Sequence, residues 1–339
     1  MEIELRFHRA SARPPEATVV FPTCDQERYV AEAATAALAQ AGVALELLFS
    51  DDASTDRTLP CLLEVARAYR GPHAVTVSRN RKRLGMDHVV SLVERATTDL
   101  HLMAHGDDVM RPGRCARTVS LLRETGATVF SVNACARDEL SGRTYPYTED
   151  RETGFLSAEE IARAGWLRPM LGATLAWRRE AYTAFPRLDA AHLPTGHDYL
   201  VPFRGALLGG MYFLNEPLID YRVHAAQWSR LMYGAGDPRV RQDFHDGRSL
   251  SAQLAMLRDL EHHRTTHPGE AARLAEIEAV LREACWTRLQ GWMQVRDALY
   301  REGWRGHWLT SAALRRAYRA ERWARGWRRL KGMLGQPTE

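Results

Sequence analysis

The chain has 339 residues, of which 45% are hydrophobic and 26% are charged, and its formal net charge is +4. These values are ordinary for a soluble globular protein, and the length allows one large domain or two average ones. The sequence contains no apolar run long enough to span a bilayer, no secretory signal pattern, and five cysteines without CxxC spacing. We therefore expect a cytoplasmic protein with no disulfide framework and no zinc site.

Short apolar runs alternate with segments of helical periodicity between residues 18 and 133. Strands are predicted at residues 18–21, 45–50, 75–77, 100–104 and 128–133. Helices are predicted at residues 27–40, 56–69, 88–95 and 112–124. This alternation indicates βαβ units and a largely parallel sheet that helices cover on both faces. Right-handed crossovers then bring the strand ends at Thr23, Asp51 and Asp107 to one edge, where ligands of such sheets bind.

The second half of the chain is richer in loops and then becomes helical. A short helix near 157–164 begins with the capping box formed by Ser157 and Glu160. Further elements are predicted as strands at 174–177, 212–214 and 218–221, a helix at 197–208, and helices beyond Pro238 with breaks at 267–269 and 303–306. We expect one domain over residues 1–236 and a helical C-terminal region over 237–339.

Asp107 and Asp108 follow the apolar run 100–104 directly after Gly106. Adjacent carboxylates at the end of a buried strand lose hydration, and each raises the free energy of ionising the other. A divalent cation such as Mg²⁺ or Mn²⁺, bound together with substrate phosphates, removes both problems. A turn in which one aspartate caps the next helix explains the pair equally well when it is taken alone.

Three other segments carry candidate chemical groups. Asp51 and Asp52 in the SDDASTD segment could bind a nucleobase or ribose, or form a turn and a helix cap with Asp56. Asp198, after Gly196 and His197, could be a general base or a plain cap. Two cationic or coordinating side chains follow the last predicted strand: Arg222 could pair with phosphate, and His224 could bind metal or be structural. No GxGxxG or GxxxxGK[ST] pattern occurs, which disfavours a dinucleotide or P-loop site.

In this order and context, these segments resemble the family 2 glycosyltransferases of GT-A fold. The matching segments are Val19–Thr23, Ser50–Asp56, His105–Asp108, Gly196–Asp198 and Asn215–His224. The resemblance implies an α/β fold with a Rossmann-like, mostly parallel central sheet flanked by helices. It also implies a nucleotide-sugar half over about 17–133 and an acceptor half over about 134–236. Members of this family move a sugar from a nucleoside-diphosphate donor to an acceptor hydroxyl, with inversion at the anomeric carbon.

The resemblance assigns roles to individual positions of this chain. Asp198 matches the catalytic base, and Asp108 matches the metal ligand, with His224 as a further candidate ligand. The donor-binding set is expected to comprise Pro22, Thr23, Asp25, Asp51, Asp52, Asp107 and Arg222, with Asp52 on the base. The implied cofactor is Mn²⁺ or Mg²⁺, and the donor is a UDP-, GDP- or dTDP-linked sugar. The acceptor would be a saccharide or a lipid-linked saccharide for the cell surface.

The chain departs from the family pattern at three places. Cys24 stands where the family often has an aromatic residue, and Asp25 stands where it usually has asparagine. The helix after Gly85 lacks the family's asparagine or arginine. The acidic pair that usually precedes the acceptor helix is reduced to His197 and Asp198. These departures bear on the choice of nucleotide more than on the class of reaction.

The C-terminal tail carries most of the positive charge. Ten basic residues face two acidic ones between Arg301 and Lys331, which gives +8 there and −4 for the remainder. On a helical wheel, Trp323 and Trp327 share an apolar face, and arginines lie opposite. This pattern is typical of a helix that lies on a membrane surface, which here would be the inner face of the cell membrane. A helix packed on the domain or on a second subunit is the alternative, which leaves a homo-oligomer open, whereas nothing beyond charge favours nucleic acid.

Two other functions fit the same fold. One is a sugar-nucleotide-binding or scaffold protein that has lost catalysis, although such a protein would not need Asp198. The other is a nucleotidyltransferase, which also holds metals with carboxylates. The absence of a loop rich in glycine and basic residues after the first strand disfavours nucleotidyl transfer.

Overall fold

The structure is a computed structural model that describes residues 3–7, 13–189, 196–225 and 237–302, together with residues 193, 227 and 334. The chain divides into two compact units. The first unit comprises Met1–Leu156, Arg168–Ala184 and Gly205–His224, and the second comprises Ser157–Leu167, Phe185–Arg204 and Ala225–Glu339. The second unit thus includes Ser157–Leu167 and Phe185–Arg204, which precede residue 236. The domain boundary expected at residue 236 stays a prediction.

The first unit is built on a mixed sheet, in which eleven strands lie within the described residues. In chain order they are β1 (Ile3–Phe7), β2 (Ala17–Thr23), β3 (Leu45–Asp51), β4 (Ala74–Arg79), β5 (Leu100–Met103), β6 (Val109–Met110), β7 (Val129–Asp138), β8 (Thr144–Pro146), β9 (Gly154–Leu156), β10 (Leu175–Arg178) and β11 (Met211–Val223). Their spatial order is β1-β4-β3-β2-β5-β10-β7-β11-β6, with β8 beside β7 and β9 beside β11.

The parallel part of the sheet is the part that the sequence predicts best. Strands β4, β3, β2 and β5 are parallel neighbours, and the apolar residues of β2 and β3 are buried as expected for a sheet covered on both faces. Strand β10 runs antiparallel between β5 and β7, so the sheet beyond β5 is mixed. Thr23 pairs with Asp51, and Asp51 pairs with Arg79, which places these strand ends at one edge.

The described residues contain nine α-helices. They are α1 (Val30–Leu38), α2 (Thr58–Ala68), α3 (Met86–Arg95), α4 (Arg114–Thr125), α5 (Ala158–Ala164), α6 (Glu180–Thr183), α7 (His197–Leu207), α8 (Pro238–Thr266) and α9 (Ala271–Arg301). The first four are the predicted helices between the strands. The capping box at the start of α5 is confirmed, because the hydroxyl of Ser157 accepts the N–H of Glu160 at 3.1 Å.

Buried ion pairs connect the helices of the second unit. Arg204 donates from Nε to Asp259 at 2.6 Å, and Arg296 donates to both carboxylate oxygens of Asp243 at 2.8 and 2.6 Å. Such pairs avoid a buried charge without a partner, which would be costly. The predicted basic helix of the C-terminal tail, with Trp323 and Trp327, lies outside the described residues. In the described parts of the chain, no helix is long and apolar enough to cross a membrane.

The structure also contains strands that the sequence did not predict. These are β1 at the edge of the sheet and the short strands β6, β8 and β9. The two short strands predicted at 212–214 and 218–221 are parts of the single strand β11. Pro217 lies where the pairing of β11 with β7 shifts register, so the strand continues through an irregularity that a proline tolerates.

Candidate active site

The turn after β5 brings three potential metal ligands together. One ligand atom from each of His105, Asp107 and Asp108 lies within 4.8 Å of the other two. Gly106 lies against the end of β2, since a Cβ there would lie 2.5 Å from Oε1 of Gln26 and 2.8 Å from Cγ2 of Thr23. Only glycine permits this approach without a shift, so the sequence Gly106-Asp107-Asp108 places both carboxylates at the sheet edge.

Asp108 is buried and only partly satisfied by the protein. Its Oδ1 accepts the backbone N–H of Arg222 at 3.0 Å. Its Oδ2 is also buried and has no hydrogen-bond partner among the described residues, although Nδ1 of His105 lies 3.8 Å away. Burial, helped by the neighbouring Asp107, raises the pKa of Asp108 to about 6. An oxygen of this kind requires a ligand or a proton.

Asp107 is matched with a histidine from the end of β11. Nε2 of His224 lies 3.3 Å from Oδ2 of Asp107. Burial alone would raise the pKa of Asp107, but the hydrogen bond from His224 and the nearby His105 outweigh it and lower that pKa. The ring of His224 packs 4.6 Å from that of Tyr29, measured between ring centres. The two carboxylates of Asp107 and Asp108 therefore have different environments. We call these residues the second acidic pair, because they follow the pair Asp51 and Asp52 in the chain.

These residues fit a divalent metal ion. Two carboxylates and an imidazole make a donor set of oxygen and nitrogen, and the unpartnered Oδ2 of Asp108 supplies a free lone pair. His105 is a candidate ligand that the sequence did not indicate. Its presence in the matching His105–Asp108 motif was the available signal. His224 is bonded to Asp107 and lies outside the three-residue cluster, and its role as a metal ligand stays a prediction.

Arg222 contacts Asp108 through its backbone N–H, whereas its guanidinium has other partners. The guanidinium forms an ion pair with Glu32 of α1 and lies 5.0 Å from the ring centre of Tyr29. The predicted contact between Arg222 and phosphate would therefore have to coexist with the Glu32 pair or replace it. That contact stays a prediction.

The end of β2 supplies the residues predicted to line the nucleoside pocket. Pro22 pairs with Ser50 in the sheet, and the hydroxyl of Thr23 donates to the carbonyl of Ser50 at 3.3 Å. Asp25 has a φ of 51°, and its Oδ1 accepts the backbone N–H of Thr55 at 2.8 Å. This hydrogen bond, together with the guanidinium of Arg83, lowers the pKa of Asp25.

The first acidic pair, Asp51 and Asp52, follows β3 at the same edge. Oδ2 of Asp51 accepts the N–H of Ser54 at 3.1 Å and lies 3.3 Å from Nε of Arg79. Burial raises the pKa of Asp51. Asp52 is held differently, because its carboxylate accepts hydrogen bonds from the loop at residues 80–85. Both carboxylates thus have partners within the first unit, but Oδ1 of Asp51 is buried and has no hydrogen-bond partner among the described residues.

Asp198, the predicted catalytic base, belongs to the second unit. It lies in the first turn of α7 and is partly exposed. Gly196 precedes the helix with a φ of 87°, and a Cβ there would lie 2.6 Å from Cδ2 of Tyr199. Glycine is therefore required for this entry into α7. A carboxylate in the first turn also interacts favourably with the positive end of the helix dipole. Its role as a base stays a prediction.

Comparison with known proteins places this site in a family. The sequence model of "Glycosyl transferase family 2" matches residues 18–184. A "Putative glycosyltransferase EpsE" from Bacillus subtilis (strain 168) is 31% identical over 126 residues. That match covers 34% of this chain and 44% of EpsE, so the chain matches less than half of this relative's length.

Solved structures share the fold. TarS residues 1–349 from S. aureus, in complex with UDP-GlcNAc, superimposes with a TM-score of 0.54 at 16% identity, over 94% of this chain and 80% of that one. The mannosyltransferase PcManGT from Pyrobaculum calidifontis, in complex with GDP-Man and Mn²⁺, gives 0.51 at 18% identity, over 96% and 86%. At these identities the likeness shows the GT-A fold alone. Residues 18–184, which include both acidic pairs, form a domain of glycosyl transferase family 2.

Proposed function

We propose that the protein is an inverting, metal-dependent glycosyltransferase that moves a sugar from a nucleoside-diphosphate donor to an acceptor hydroxyl. The observation that carries this proposal is the buried, unpartnered Oδ2 of Asp108 beside Asp107 and His105, at the ligand-binding edge of the sheet. The complexes of TarS with UDP-GlcNAc and of PcManGT with GDP-Man and Mn²⁺ support a nucleotide sugar and a divalent ion. The choice among UDP, GDP and dTDP stays open.

The second acidic pair and His105 would hold the ion in this proposal. A bound Mn²⁺ or Mg²⁺ neutralises the charge that develops on a departing diphosphate. The nitrogen of His105 in the donor set favours Mn²⁺ over the harder Mg²⁺. Arg222 would add a cationic donor to the diphosphate, either beside its ion pair with Glu32 or in place of it, since its Nη1 has no hydrogen-bond partner among the described residues.

Asp198 would act as the general base. It takes the proton of the acceptor hydroxyl while that oxygen forms a bond to the anomeric carbon of the donor sugar. The bond from that carbon to the diphosphate oxygen breaks in the same displacement, and the nucleoside diphosphate leaves. One displacement inverts the anomeric centre and needs no covalent nucleophile. We place the acceptor among saccharides and lipid-linked saccharides of the cell surface, which the family resemblance supports.

Nucleoside-diphosphate release from a panel of donor sugars, with and without Mn²⁺, tests the proposal. We expect release that depends on Mn²⁺ and falls at least about 100-fold in Asp198→Asn, the lower end of general-base effects. Asp99→Asn, at a largely exposed surface carboxylate, is the control and should match the wild type. Normal turnover of Asp198→Asn contradicts the assigned base. Donor binding without release would indicate a binding protein, and pyrophosphate release from a nucleoside triphosphate would indicate nucleotidyl transfer.

The basic tail would bring the enzyme to the inner surface of the membrane. Its charge of +8 between Arg301 and Lys331 supports this part of the proposal. The triple variant Arg322→Glu, Arg325→Glu and Arg329→Glu should sediment less with anionic vesicles than the wild type. Equal sedimentation of both proteins rules out the membrane contact and leaves packing on protein as the role of the tail.

A further inference from the structure

Tyr29, which directly precedes α1, packs against the end of β11. The residue is buried, with 8% of its surface exposed. The centre of its ring lies 4.6 Å from the ring centre of His224 and 5.0 Å from Cζ of Arg222. One aromatic ring therefore contacts both side chains at the end of β11 that the sequence predicts to meet metal or phosphate.

The hydroxyl of Tyr29 holds the same segment by a second route. It donates to Oε2 of Glu139 at 2.8 Å, and the backbone N–H of Glu139 donates to the carbonyl of Val223 at 3.0 Å. Burial and the carboxylate of Glu139 raise the pKa of Tyr29, so the phenol keeps the proton that it donates. Tyr29 is therefore linked to three consecutive residues, Arg222, Val223 and His224.

The guanidinium of Arg222 has one exposed partner and one buried partner. The exposed partner is Glu32, whose side chain is 63% exposed, and an ion pair with such a carboxylate is weak because water screens it. The buried partner is the ring of Tyr29, and an aromatic face attracts a cation more strongly where water is excluded. Nη1 of Arg222 has no hydrogen-bond partner among the described residues, so this nitrogen is available to an anion.

We propose that Tyr29 is a positioning residue of the donor site, which holds the guanidinium of Arg222 in the orientation that a diphosphate requires. The inference rests on the proposed function in so far as it concerns the diphosphate. Tyr29 acts through Arg222 and not on the ligand, because its own hydroxyl donates to Glu139. A guanidinium that is already held loses less rotamer freedom when an anion binds it.

Comparison of nucleoside diphosphates with the corresponding nucleosides separates positioning from general damage to the pocket. UDP, GDP and dTDP are tested against uridine, guanosine and thymidine at saturating Mn²⁺. Arg222 meets only the diphosphate, so we expect Tyr29→Leu to weaken the nucleoside diphosphate at least about fivefold, as the loss of an ordinary cation–π contact allows. Binding of the nucleoside should match that of the wild type. Equal weakening of both ligands overturns the inference.

Two further variants show which part of Tyr29 matters. Tyr29→Phe keeps the ring and loses only the hydroxyl, so it should restore most of the affinity that Tyr29→Leu loses. Tyr69→Leu is the matched control and should bind both ligands like the wild type, since Tyr69, at the end of α2, stacks on His73. Binding by Tyr29→Phe that is as weak as that by Tyr29→Leu would assign the effect to the hydroxyl and overturns the inference.

Combination with Arg222→Met tests whether Tyr29 acts through Arg222. Arg222→Met removes the guanidinium and keeps an unbranched side chain. If Tyr29 positions this guanidinium, Tyr29→Leu costs no further affinity for the nucleoside diphosphate once residue 222 is methionine. Losses that multiply in the double variant show two independent effects and overturn the inference.

Nitrogen-15 NMR of the nucleotide-free, full-length protein tests the positioning without any ligand. The Nε–H signal of Arg222 is assigned from its absence in Arg222→Met. We expect the order parameter of this N–H bond to fall below about 0.6 in Tyr29→Leu, the range of flexible groups, and not in Tyr29→Phe. An unchanged order parameter in Tyr29→Leu overturns the inference. Failure of the wild type to bind any of the three nucleoside diphosphates contradicts the proposed function instead, and the NMR result still decides the role of Tyr29.

Discussion

The turns after β3 and β5 both place two aspartates at the same edge of the sheet. Each pair keeps one buried carboxylate oxygen without a hydrogen-bond partner among the described residues, Oδ1 of Asp51 and Oδ2 of Asp108. The two turns differ at their second aspartate, because both carboxylate oxygens have partners at Asp52 and only one has a partner at Asp108. In the first acidic pair, the carboxylate of Asp52 accepts hydrogen bonds from three donors, Nδ2 of Asn80 and the N–H groups of Leu84 and Gly85. In the second acidic pair, Asp108 keeps a buried oxygen without a hydrogen-bond partner among the described residues. The first pattern stabilises a loop, and the second is suited to an ion.

The histidines beside the two acidic pairs also differ, because one is buried and the other is partly exposed. His88, with Nδ1 3.9 Å from Asp52, is 2% exposed and shares a 2.8 Å hydrogen bond with the hydroxyl of Ser50. Burial lowers its pKa to about 4, so it is neutral at physiological pH. His105, beside Asp108, has a side chain that is 31% exposed. One histidine is therefore part of the core, and the other can reach a ligand.

The largest expected effect is that of Asp108→Asn. We expect Mn²⁺-dependent release of nucleoside diphosphate to fall at least about 100-fold, since even residues that only support a metal ligand cost 10- to 100-fold. The free energy of unfolding should not fall, because the change removes a buried charge that repels Asp107. Asp52→Asn is the matched change at the first pair and should lose about 1–3 kcal/mol of stability. An Asp108→Asn protein with normal turnover, or with a loss of stability like that of Asp52→Asn, would remove the contrast between the pairs.

A second test concerns how closely the turn after β5 packs against the end of β2. Gly106→Ala places a methyl group 2.5 Å from Oε1 of Gln26 and 2.8 Å from Cγ2 of Thr23, so we expect a loss of about 1–3 kcal/mol in the free energy of unfolding. Chemical denaturation measures this loss. Gly154→Ala is the control, because nothing lies within 4 Å of its added Cβ. Equal stability of the two variants would show that the turn does not need the close approach.

In the turn after β3, by contrast, a substitution should raise the free energy of unfolding. Ala53 has a φ of 55°, a conformation that costs a residue with a Cβ about 1–2 kcal/mol. Ala53→Gly relieves this cost and adds about 0.5–1 kcal/mol of entropy cost, so we expect a gain in stability of at most about 1.5 kcal/mol. Ala36→Gly, inside α1, is the control and should lose about 1 kcal/mol. A loss of stability in Ala53→Gly would contradict the strain assigned to this turn.

The smallest effect near neutral pH is expected at His88. The pKa of His88 is about 4 in the folded protein, whereas a histidine exposed in the unfolded chain has a pKa of 6.5. Between these pH values the unfolded state therefore binds more protons than the folded state. The contribution of His88 to stability is therefore lost as the pH falls from 6.5 towards 4. His88→Gln should flatten the decline of unfolding free energy with acid in that window. Parallel curves for His88→Gln and the wild type would contradict a buried neutral His88.

The contrast between the acidic pairs is not visible in the sequence. Both pairs are two aspartates after an apolar strand, and local patterns assign each of them a turn or a site with similar merit. What separates them is distant in the chain, since the partners of Asp52 lie about 30 residues away and Asp108 meets Arg222 after more than 100. His105 stood in a matching motif, but a single histidine does not reveal whether its ring is buried like that of His88.

The strands of the fold could likewise be predicted where a local pattern determines them, and could not where pairing between distant strands does. Strands β2 to β5 were predictable because each is a buried apolar run followed by a helix, which local periodicity reports directly. Strand β10 is as apolar, but its antiparallel position between β5 and β7 depends on pairing that no local pattern encodes. Pro217 suggested a break in β11, and the continuous strand forms because its neighbour β7 accommodates the shift in register.

The most direct test is a Mn²⁺ titration of the wild type, Asp52→Asn and Asp108→Asn, with the protein alone and no nucleotide. The central claim is that the second acidic pair binds the ion and the first holds a loop. We predict that Asp52→Asn binds Mn²⁺ with the affinity of the wild type and that Asp108→Asn binds it at least about 100-fold more weakly. Equal losses in both variants, or a loss in Asp52→Asn alone, would contradict the claim.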